Sequence, residues 1–437
     1  MLTAFTRAFR TPDLRKKLLF TLGIIALFRL GSVLPTPGVH TENIALCLKE
    51  AQAGDAGNIY GMVQLFSGGA LLKLSIFALG IMPYITASII LQLLVVVIPR
   101  LEALKKEGQA GQTKITQYTR YLTIGLAILQ STAFIALARS GQLFPGCRQD
   151  VLLDKDSVFT IVTMVLVMTA GTAVIMWLGE LVTDRGVGNG MSILIFTQVI
   201  AVFPSELLNI GRQKGAFVFA VVMAVGIAMI ALVVMVEQAQ RRVPVQYAKR
   251  MVGRRMYGGT STYIPLKVNQ AGIIPVIFAS SLLYLPQLVT TLFSGTEEPN
   301  AVVQWIQQNL VTGDTPAYMI TFFLLIVFFT YFYVSITFNP VEVADNMKKY
   351  GGFIPGIRPG RPTAEYLNYV LSRLTAPGSL YLGLISMVPI VALALVGASQ
   401  NFPFGGTSIL IMVGVGLDTV KQIESQLQQR NYEGFLK

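Results

Sequence analysis

Ten apolar stretches, separated by polar connections, constrain this chain more than any other feature of its sequence. Most are long enough to cross the roughly 30 Å hydrocarbon core of a bilayer as a helix. Only 13% of the residues are charged and 53% are apolar, whereas a soluble domain carries about 25% charged residues. The pattern predicts an all-α polytopic membrane protein with spans at about 18–34, 74–98, 118–138, 158–178, 191–210, 216–236, 271–292, 317–338, 379–396 and 407–420.

The lysines and arginines predict the orientation of these spans. Most of the 34 lie in the N-terminal segment and in every second connection, and few lie in the others. Because cytoplasmic loops are enriched in these residues, both termini are predicted to be cytoplasmic. Arg15, Lys16 and Lys17 lead directly into the first span, and no small-residue cleavage site follows it, so this span is interpreted as a retained helix.

The stretch Gly61–Ile98 starts, breaks and starts again. A short apolar segment, Met62–Phe66, meets Ser67-Gly68-Gly69 before the second span begins at Leu74. The first segment is too short to cross a bilayer, and paired glycines favour a joint over a helix interior. Irregular backbone at membrane depth is tolerated only where protein or water surrounds it. The stretch is therefore a candidate pore-lining or plugging segment, with a re-entrant loop that only packs as the alternative.

Several kinds of functional group are missing from the sequence. The interiors of spans 2–10 lack Asp, Glu, Lys, Arg and His, with Glu206 and Asp418 near span ends, whereas ion-coupled transporters and pumps need such groups inside the membrane. His40 is the only histidine, and no metal-ligand spacing, ATP-binding motif or nucleophile–base arrangement is present. Gly186–Gly190 resembles a phosphate loop only superficially, because no Lys-Ser/Thr pair follows it.

These absences predict that the chain is not an enzyme and holds no cofactor or metal. They leave a passive conduit driven by a partner, a transporter of a neutral solute, and a membrane scaffold as the alternatives. A neutral-solute transporter could work with polar groups and broken helices alone, so it stays open at this point.

The chain has two cysteines, Cys47 and Cys147, and both fall on the predicted outer side. Two thiols in separate outer loops could pair, but their spacing gives no reason to expect it. The sequence leaves open whether they are free.

The connection at about 237–270 is predicted to fold into a basic ribbon. Val243–Tyr247 and Ser261–Pro265 have the β-branched and aromatic content of strands, and they flank Arg254 and Arg255. Solvated charge near a membrane usually obeys topology or binds anionic lipid. A structured basic projection is better suited to a polyanionic partner such as ribosomal RNA, whose phosphates favour paired arginines.

The connection at about 339–375 is also predicted to fold. Asn339-Pro340 begins a short helix that Gly351-Gly352 ends. A rigid turn then presents Arg358, and Thr363–Leu374 forms a second amphipathic helix. Two elaborate basic loops on one side favour the conduit over the transporter.

A set of motifs in the order of the topology identifies a known family. They are LFSGG at Leu65–Gly69, SIFALGIMPYI at Ser75–Ile85, ILQLL at Ile90–Leu94, GVGNG at Gly186–Gly190, RR at Arg241–Arg242, YAKR at Tyr247–Arg250, GRR at Gly253–Arg255, GGFIPGIRPG at Gly351–Gly360 and FGGTS at Phe404–Ser408. Through them the chain resembles the SecY family, also called the SecY/Sec61-alpha family, the channel subunits of the protein-conducting translocon, across essentially its whole length.

The resemblance implies ten transmembrane helices in two inverted pseudo-symmetric halves of five, 1–210 and 211–437, around a central hourglass pore. It implies a plug half-helix at about Gly61–Leu72 that seals the outer side of the pore. The implied plug residues are Phe66, Ser67, Gly68, Gly69, Leu71 and Leu72. The implied pore constriction, called here the apolar ring, is formed by Ile81, Ile85, Met191, Ile195, Ile277 and Ile411.

A narrow ring of apolar side chains dewets when empty and can close around a peptide of any sequence. Met191 departs from the branched residue usual at its position, and its flexible side chain implies a slightly leakier seal. Ile81 and Ile85 are four residues apart, which places them on one helix face.

The resemblance also implies a lateral gate, between spans 2 and 3 on one side and spans 7 and 8 on the other, that admits signal peptides and membrane anchors to lipid. The polar residues expected near that seam are Thr86, Gln92, Gln130 and Asn269. Arg254, Arg255 and Arg358 are expected to face the ribosome or the SecA motor ATPase as docking residues, not catalytic ones.

The implied function is a protein-conducting channel in the bacterial plasma membrane, heterotrimeric with SecE and SecG. Such a channel moves unfolded precursor proteins across the membrane and releases transmembrane segments into the lipid, powered by SecA or by the translating ribosome. The secondary transporter of a neutral solute is kept as the alternative.

Overall fold

The computed structural model describes residues 9, 11–52, 69–71, 73–139, 151–152, 157–247, 250–252, 255–257, 261–293, 301–311, 315–396 and 406–433. This part of the chain is mainly helical. Its helices are α1 (Pro12–Val33), α2 (Thr41–Gln52), α3 (Met82–Val97), α4 (Pro99–Lys106), α5 (Gln109–Arg139), α6 (Val158–Arg185), α7 (Gly190–Gln238), α8 (Ile274–Phe293), α9 (Ala301–Ile306) with a π-helical continuation (Gln307–Val311), α10 (Pro316–Thr337), α11 (Pro340–Lys349), α12 (Arg361–Val396) and α13 (Gly406–Glu433). Its strands are β1 (Gln240–Tyr247), β2 (Arg250–Val252), β3 (Arg255–Tyr257), β4 (Ser261–Lys267) and β5 (Gly352–Phe353).

Four helical segments in the described ranges are long and apolar enough to cross a membrane. They are Gln109–Arg139, Val158–Arg185, Phe219–Gln238 and Pro316–Lys349. A fifth is added if α3 and α4, which meet at an angle of 99°, form one broken span. The helical membrane fold is therefore present, while the count of ten spans stays a prediction.

The helix α7 differs from the sequence prediction. The spans predicted at 191–210 and 216–236, with a connection between them, lie on one uninterrupted helix of 49 residues. The helix contains Pro204. The predicted connection, 211–215, has two glycines and no proline, and glycine lowers helix propensity by only about 1 kcal/mol. The helix also runs through residue 210, the predicted boundary between the two halves.

The second predicted span, 74–98, is helical only from Met82, as α3, so its predicted start is wrong. Leu74 has a φ of 45°, a left-handed value that side-chain-bearing residues rarely adopt, and it cannot continue a helix. The carbonyl oxygen of Leu74 instead accepts hydrogen bonds from the backbone N–H and the hydroxyl of Thr36, at 2.9 and 2.7 Å. The apolar sequence gives no sign of this turn, because Thr36, which bonds to it, lies in another connection.

The helices pack as two groups. In one, α6 contacts α1, α5 and α7, and α3 packs on α5; in the other, α12 contacts α10 and α13, and α10 contacts α8. The two groups meet where α8 packs against α3 and α5, and where α13 packs against α7. These are the helices from which the apolar ring and the seam were expected.

The predicted ribbon is confirmed. Strands β1 and β4 pair antiparallel from Gln240↔Lys267 to Gln246↔Ser261, and β2 pairs with β3 beyond them. A feature that the sequence did not suggest is β5, which pairs with the end of β1 through Gln246↔Phe353. The two basic connections are therefore one three-stranded sheet in the order β4-β1-β5.

The second basic connection agrees in part with its prediction. The short helix begins as expected, since Asn339 caps α11 by accepting hydrogen bonds from the N–H groups of Val341 and Glu342. The expected separate amphipathic helix, Thr363–Leu374, is instead the beginning of α12, which continues without a break to Val396. Pro377 and Gly378 follow closely and favour a helix end near residue 374, but the helix continues through them.

One cysteine can be placed. Cys47 lies on α2, is fully buried at 0% exposure and is disulfide-bonded, so the sequence expectation, which contained no reason for pairing, was incomplete. Cys147 lies outside the described residues.

Candidate functional site

The six residues of the apolar ring lie in two adjoining clusters of apolar side chains. Ile81, Ile85 and Met191 belong to one cluster, and Ile277 and Ile411 belong to the other; Ile195 belongs to both. These residues come from the start and first turn of α3 and from α7, α8 and α13. Ile81 is 1% exposed and Ile411 is 8% exposed. Side chains far apart in the chain are therefore linked through adjoining apolar clusters that share Ile195.

Met191 is positioned by the glycine-rich turn before α7. Asn189 caps the helix by accepting from the N–H groups of Met191 and Ser192. The turn packs closely on α6, because a Cβ on Gly190 would come within 1.8 Å of the carbonyl oxygen of Gly179. A Cβ on Gly179 would in turn lie 2.4 Å from the sulfur of Met191. Only glycines permit this approach, so the GVGNG motif has a packing role here.

The segment between the predicted plug and α3 is held by the connection after α1. We call residues 73–76 the hinge. In addition to the two bonds from Thr36 to Leu74, the N–H of Ile76 donates to the carbonyl oxygen of Leu34 at 2.9 Å. The N–H of Ser75 donates back to Ala70 at 3.1 Å. The hinge is thus an anchored and sharply turned segment, and Leu74 is fully buried within it.

Of the predicted plug residues, only Gly69 and Leu71 lie in the described part of the chain. Gly69 has a φ of 82°, which suits glycine, and Leu71 is buried in the cluster that also holds Leu74 and Cys47. Phe66, Ser67, Gly68 and Leu72 lie outside the described residues.

The seam between the two helix groups is closed by apolar packing. Ile89 on α3 is buried in one cluster with Val276, Ala279 and Leu283 of α8. On its own side of the seam, α8 is held to α10 by an edge-on ring contact between Phe278 and Phe329, with centroids 5.7 Å apart. Apolar contacts of this kind have no directional bonds that must break before an apolar segment enters.

The four polar residues expected near the seam have different surroundings. The buried hydroxyl of Thr86 donates to the carbonyl oxygen of Met82, within its own helix, at 3.0 Å. Gln130 is buried on α5 and Gln92 is exposed on α3. Asn269 bonds to a residue at the base of the ribbon, as described below. Their role as a polar bridge across the seam stays a prediction.

The three-stranded sheet has a buried underside and a basic outer surface. Val243, Val245 and Leu266 are packed against Leu367 of α12 in one cluster. We call this unit, β4-β1-β5 with α11 and the start of α12, the docking sheet. Because its core draws on both connections, its surface is a single rigid unit rather than two separate loops.

Basic residues are exposed on β1 of the docking sheet and in the turn beside it. Arg241 and Arg242 are exposed, and the guanidinium of Arg242 lies 4.8 Å from the ring centroid of Tyr263. Arg358 is exposed in a turn that is fixed because its carbonyl oxygen accepts from the hydroxyl of Thr363 at 2.8 Å. Arg255 begins β3, and Arg254 lies outside the described residues.

Sequence reasoning missed a buried polar pair at the base of the ribbon. The carboxylate of Glu237, near the end of α7, accepts from the side-chain amide of Asn269, and both residues are buried. The two residues flank the ribbon on its opposite arms. The signal was available, since a carboxylate just before and an amide just after an antiparallel ribbon must lie close together.

A second missed pair joins α5 and α6. Arg120 donates from Nε and Nη2 to the two carboxylate oxygens of Glu180, at 2.9 and 2.7 Å. The bidentate geometry fixes the relative positions of these helices. Arg120 lies at the start of the third predicted span, and nothing next to it in the sequence indicates a partner.

Comparisons with known proteins agree with this arrangement. A family model described as SecY matches residues 75–420. The chain is 69% identical over 442 residues to a protein from Streptomyces galbus named "Protein translocase subunit SecY", and 62% identical over 442 residues to a protein of the same name from Mycobacterium tuberculosis. In each case 100% of both chains is covered.

Solved structures share the fold. "The structure of a protein conducting channel" matches with a TM-score of 0.63 and 19% identity, and a SecY structure concerned with the plug domain and its membrane seal matches with 0.62 and 20%. "Sec61 in the Canine ribosome-channel complex from the endoplasmic reticulum" matches with 0.58 and 18%. Each match covers 94% of this chain and 92% of the other.

Proposed function

The chain belongs to the SecY family, and from that premise we propose how its own residues form, seal and open a protein-conducting channel. Its relatives, at up to 69% identity over their full length among those described above, are protein translocase subunits. The chain is accordingly a membrane channel subunit of a protein translocase, and no catalytic role is indicated. Its substrates are unfolded precursor proteins, moved across the membrane, and transmembrane segments, released into the lipid.

The observation that carries the proposed mechanism is the meeting of the six ring residues. Side chains from α3, α7, α8 and α13 converge although they are spread from residue 81 to residue 411. We assign the pore constriction to them. An apolar constriction excludes water and ions when empty, and its side chains can rotate to admit a peptide without any specific recognition.

The plug is assigned to about 61–72, on the outer side of the ring. The anchored hinge supports this assignment, because the two bonds from Thr36 to Leu74 give the chain a fixed point just after the plug. A segment that begins next to a fixed point can swing without disturbing α3. Strain of the kind seen at Leu74 also clusters at moving parts of proteins.

The lateral gate is assigned to the seam where α8 packs on α3 and α5. Its described contacts are apolar, such as those of Ile89 with the residues of α8. The apolar core of a signal peptide can replace such contacts at little cost in free energy, because one apolar surface is exchanged for another.

The docking sheet is assigned to the partner that supplies the driving force. The match to a Sec61 channel in a ribosome–channel complex supports the ribosome as one partner. The exposed Arg241, Arg242 and Arg358, with Arg254 and Arg255, suit a polyanionic surface. We further propose SecA as the alternative motor and SecE and SecG as the partner subunits in the membrane.

The proposed topology places the docking sheet and both termini in the cytoplasm of a bacterial cell, with the channel in the plasma membrane. It rests on the distribution of lysine and arginine. The proposed halves remain 1–210 and 211–437. A transporter of a neutral solute is not favoured, because the relatives are named for protein translocation.

The function is tested by reconstituting the chain with SecE and SecG in proteoliposomes with SecA, ATP and a signal-bearing precursor. The expected result is ATP-dependent protection of the precursor from protease, lost when the apolar core of the signal is charged. Failure to protect a precursor that a reference translocase moves would contradict the proposal.

The ring is tested in the same vesicles by replacing Ile195 and Ile277 together with alanine. The smaller side chains widen the constriction, which is expected to raise ion leak while leaving precursor protection intact. Ile135→Ala is the matched control, because Ile135 is equally apolar and 1% exposed but lies in a cluster away from the ring. Equal leak in the two variants would remove the ring assignment.

Deletion of residues 66–72 tests the plug in the same recordings. The complex is expected to stay folded and to leak more ions than the unsubstituted chain.

A further inference from the structure

The ribbon joins the membrane helices through a buried polar contact. Glu237 and Asn269 are 8% and 2% exposed, and the side-chain Nδ2 of Asn269 donates to Oε1 of Glu237 at 2.5 Å. A buried carboxylate is costly unless it is bonded, so this contact must persist while the ribbon base is folded. We call the pair the clasp.

The clasp continues to the residues just before α8. The same Nδ2 of Asn269 donates to the carbonyl oxygen of Gly272 at 3.1 Å. The next residue, Ile273, accepts at its carbonyl oxygen from the N–H of Ile277, at 3.3 Å. Three consecutive contacts therefore lead from the end of α7 to Ile277 in the apolar ring, on the helix that forms one side of the seam.

Other links at the ribbon base are a backbone bond, an exposed ion pair and the packing of Ala271 against Val334 and Leu371. One backbone bond joins Val268 to Ala239, at 3.0 Å. The charged groups that act on Glu237 are Lys267, Asp418 and Lys421. Of these, Lys267 and Asp418 form an ion pair of 3.6 Å with exposed side chains, and exposed pairs contribute little. The clasp is the buried and charge-assisted link.

We propose that the clasp of Glu237 and Asn269 transmits displacement of the docked ribbon to α8, so that it couples partner docking to opening of the seam. The proposal rests on the docking role proposed for the sheet. Glu237 is a positioning residue: it touches neither the precursor nor the partner, and it acts by holding Asn269 against Gly272. Without it, a partner still binds the ribbon, but the movement of the ribbon no longer reaches α8.

The test uses the reconstituted complex with SecA and a signal-bearing precursor. Seam opening is read by a diazirine-bearing amino acid placed at position 89, which crosslinks to the signal peptide when that peptide has entered. SecA affinity and precursor protection are measured on the same vesicles. Glu237→Ala is expected to lower crosslinking and the protection rate about tenfold, the factor that corresponds to one lost charge-assisted hydrogen bond, with SecA affinity unchanged.

Three further variants separate coupling from folding. Glu237→Gln keeps an oxygen acceptor for Asn269 and is expected to restore most of the crosslinking. Asn269→Ala should reproduce Glu237→Ala, and the double variant should be no worse than either single one. Glu180→Ala removes another interhelical carboxylate, at the α5–α6 contact, and is expected to leave the ratio of crosslinking to SecA affinity unchanged.

The outcomes are distinct. Equal losses of SecA affinity and crosslinking in Glu237→Ala, or a Glu237→Gln variant as defective as Glu237→Ala, would overturn the clasp as a coupling element. Unchanged crosslinking in Glu237→Ala would overturn it as well. Failure of the proposed function itself would show separately, as absence of precursor protection with the unsubstituted chain.

Discussion

The apolar ring and the docking sheet are held together by different kinds of interaction, apolar packing in the ring and hydrogen bonds in the sheet. The ring brings together apolar side chains from four helices, packed in two adjoining apolar clusters. The docking sheet is held by strand register, by the cap at Asn339 and by the bond from Thr363 to Arg358. In the proposed function, the ring deforms around any peptide and the sheet presents charges at fixed positions.

The difference shows which interactions a moving part can use. Apolar packing has no directional requirement, so its members can separate and return without leaving an unpaired group. Hydrogen bonds do have that requirement, and a sheet that loses its register exposes unpaired donors and acceptors. Four substitutions would break or sharpen this contrast.

The largest effect is expected from Val245→Asp in the docking sheet. Val245 is 1% exposed, and burying a carboxylate among apolar side chains is expected to destabilise the sheet by about 4 kcal/mol or more. Ribosome and SecA binding should be lost, while ion leak through the ring stays at the level of the unsubstituted chain. Gln246→Asp, at the exposed neighbouring position, is the control and should bind normally. Increased leak in Val245→Asp would show that the two regions are not separable.

Arg358→Glu should block motor-driven export and leave the complex assembled. The side chain is exposed, so reversing its charge costs little stability, but it places a like charge against a polyanionic or acidic partner. The measurement is SecA-driven protection of a precursor together with co-purification of the partner subunits. Arg373→Glu makes the same charge change on α12 and should have a smaller effect; equal defects would remove Arg358 from the docking surface.

Ile81→Thr tests the chemistry of the ring rather than its volume. A buried hydroxyl is expected to cost about 2 kcal/mol and to favour water in the constriction, so ion leak should rise. Ile81→Leu keeps the side chain apolar, should cost less than about 1.5 kcal/mol, and should stay sealed. Bilayer conductance recordings distinguish the two, and a leaky Ile81→Leu would mean that shape matters more than polarity.

The smallest effect is expected from Thr36→Val, which removes the hydroxyl bond to Leu74 but keeps the backbone bond. The loss should be about 1 kcal/mol, seen as a modest rise in the frequency of transient channel openings. Thr132→Val removes a bond within α5, from an exposed hydroxyl to the carbonyl oxygen of Ile128, and should leave the openings unchanged. If the two variants behave alike, the anchor at the hinge does not restrain the plug.

Sequence reasoning predicted the parts that depend on local pattern. The ribbon and the short helix α11 follow from strand content and from Asn339-Pro340, and both are confirmed. The ring positions came from the family resemblance and not from periodicity, because an isoleucine on an apolar helix looks the same whether it packs or seals. The structure brings these residues together, and their role stays a prediction.

The parts that were missed depend on contacts between distant residues. The predicted start of α3 was wrong because Thr36 holds Leu74 in a turn, and the union of the two basic connections was missed because β5 has only two residues. The bond from the side-chain amide of Asn269 to Glu237 at the ribbon base was also missed. The first two are contacts between residues far apart in the chain, which no local sequence window contains. The third lies at the base of a predicted ribbon, where a sequence signal was available.

The two-residue strand β5 has a consequence for the order in which the protein can mature. One edge of β1 pairs with β4, which follows it closely in the chain. The other edge can pair only after residues 352 and 353 have been synthesised. These are synthesised only after α8, α10 and α11. A nascent chain therefore contains α3, α5, α8 and α10, the helices on both sides of the seam, before β5 is available to complete the three-stranded sheet.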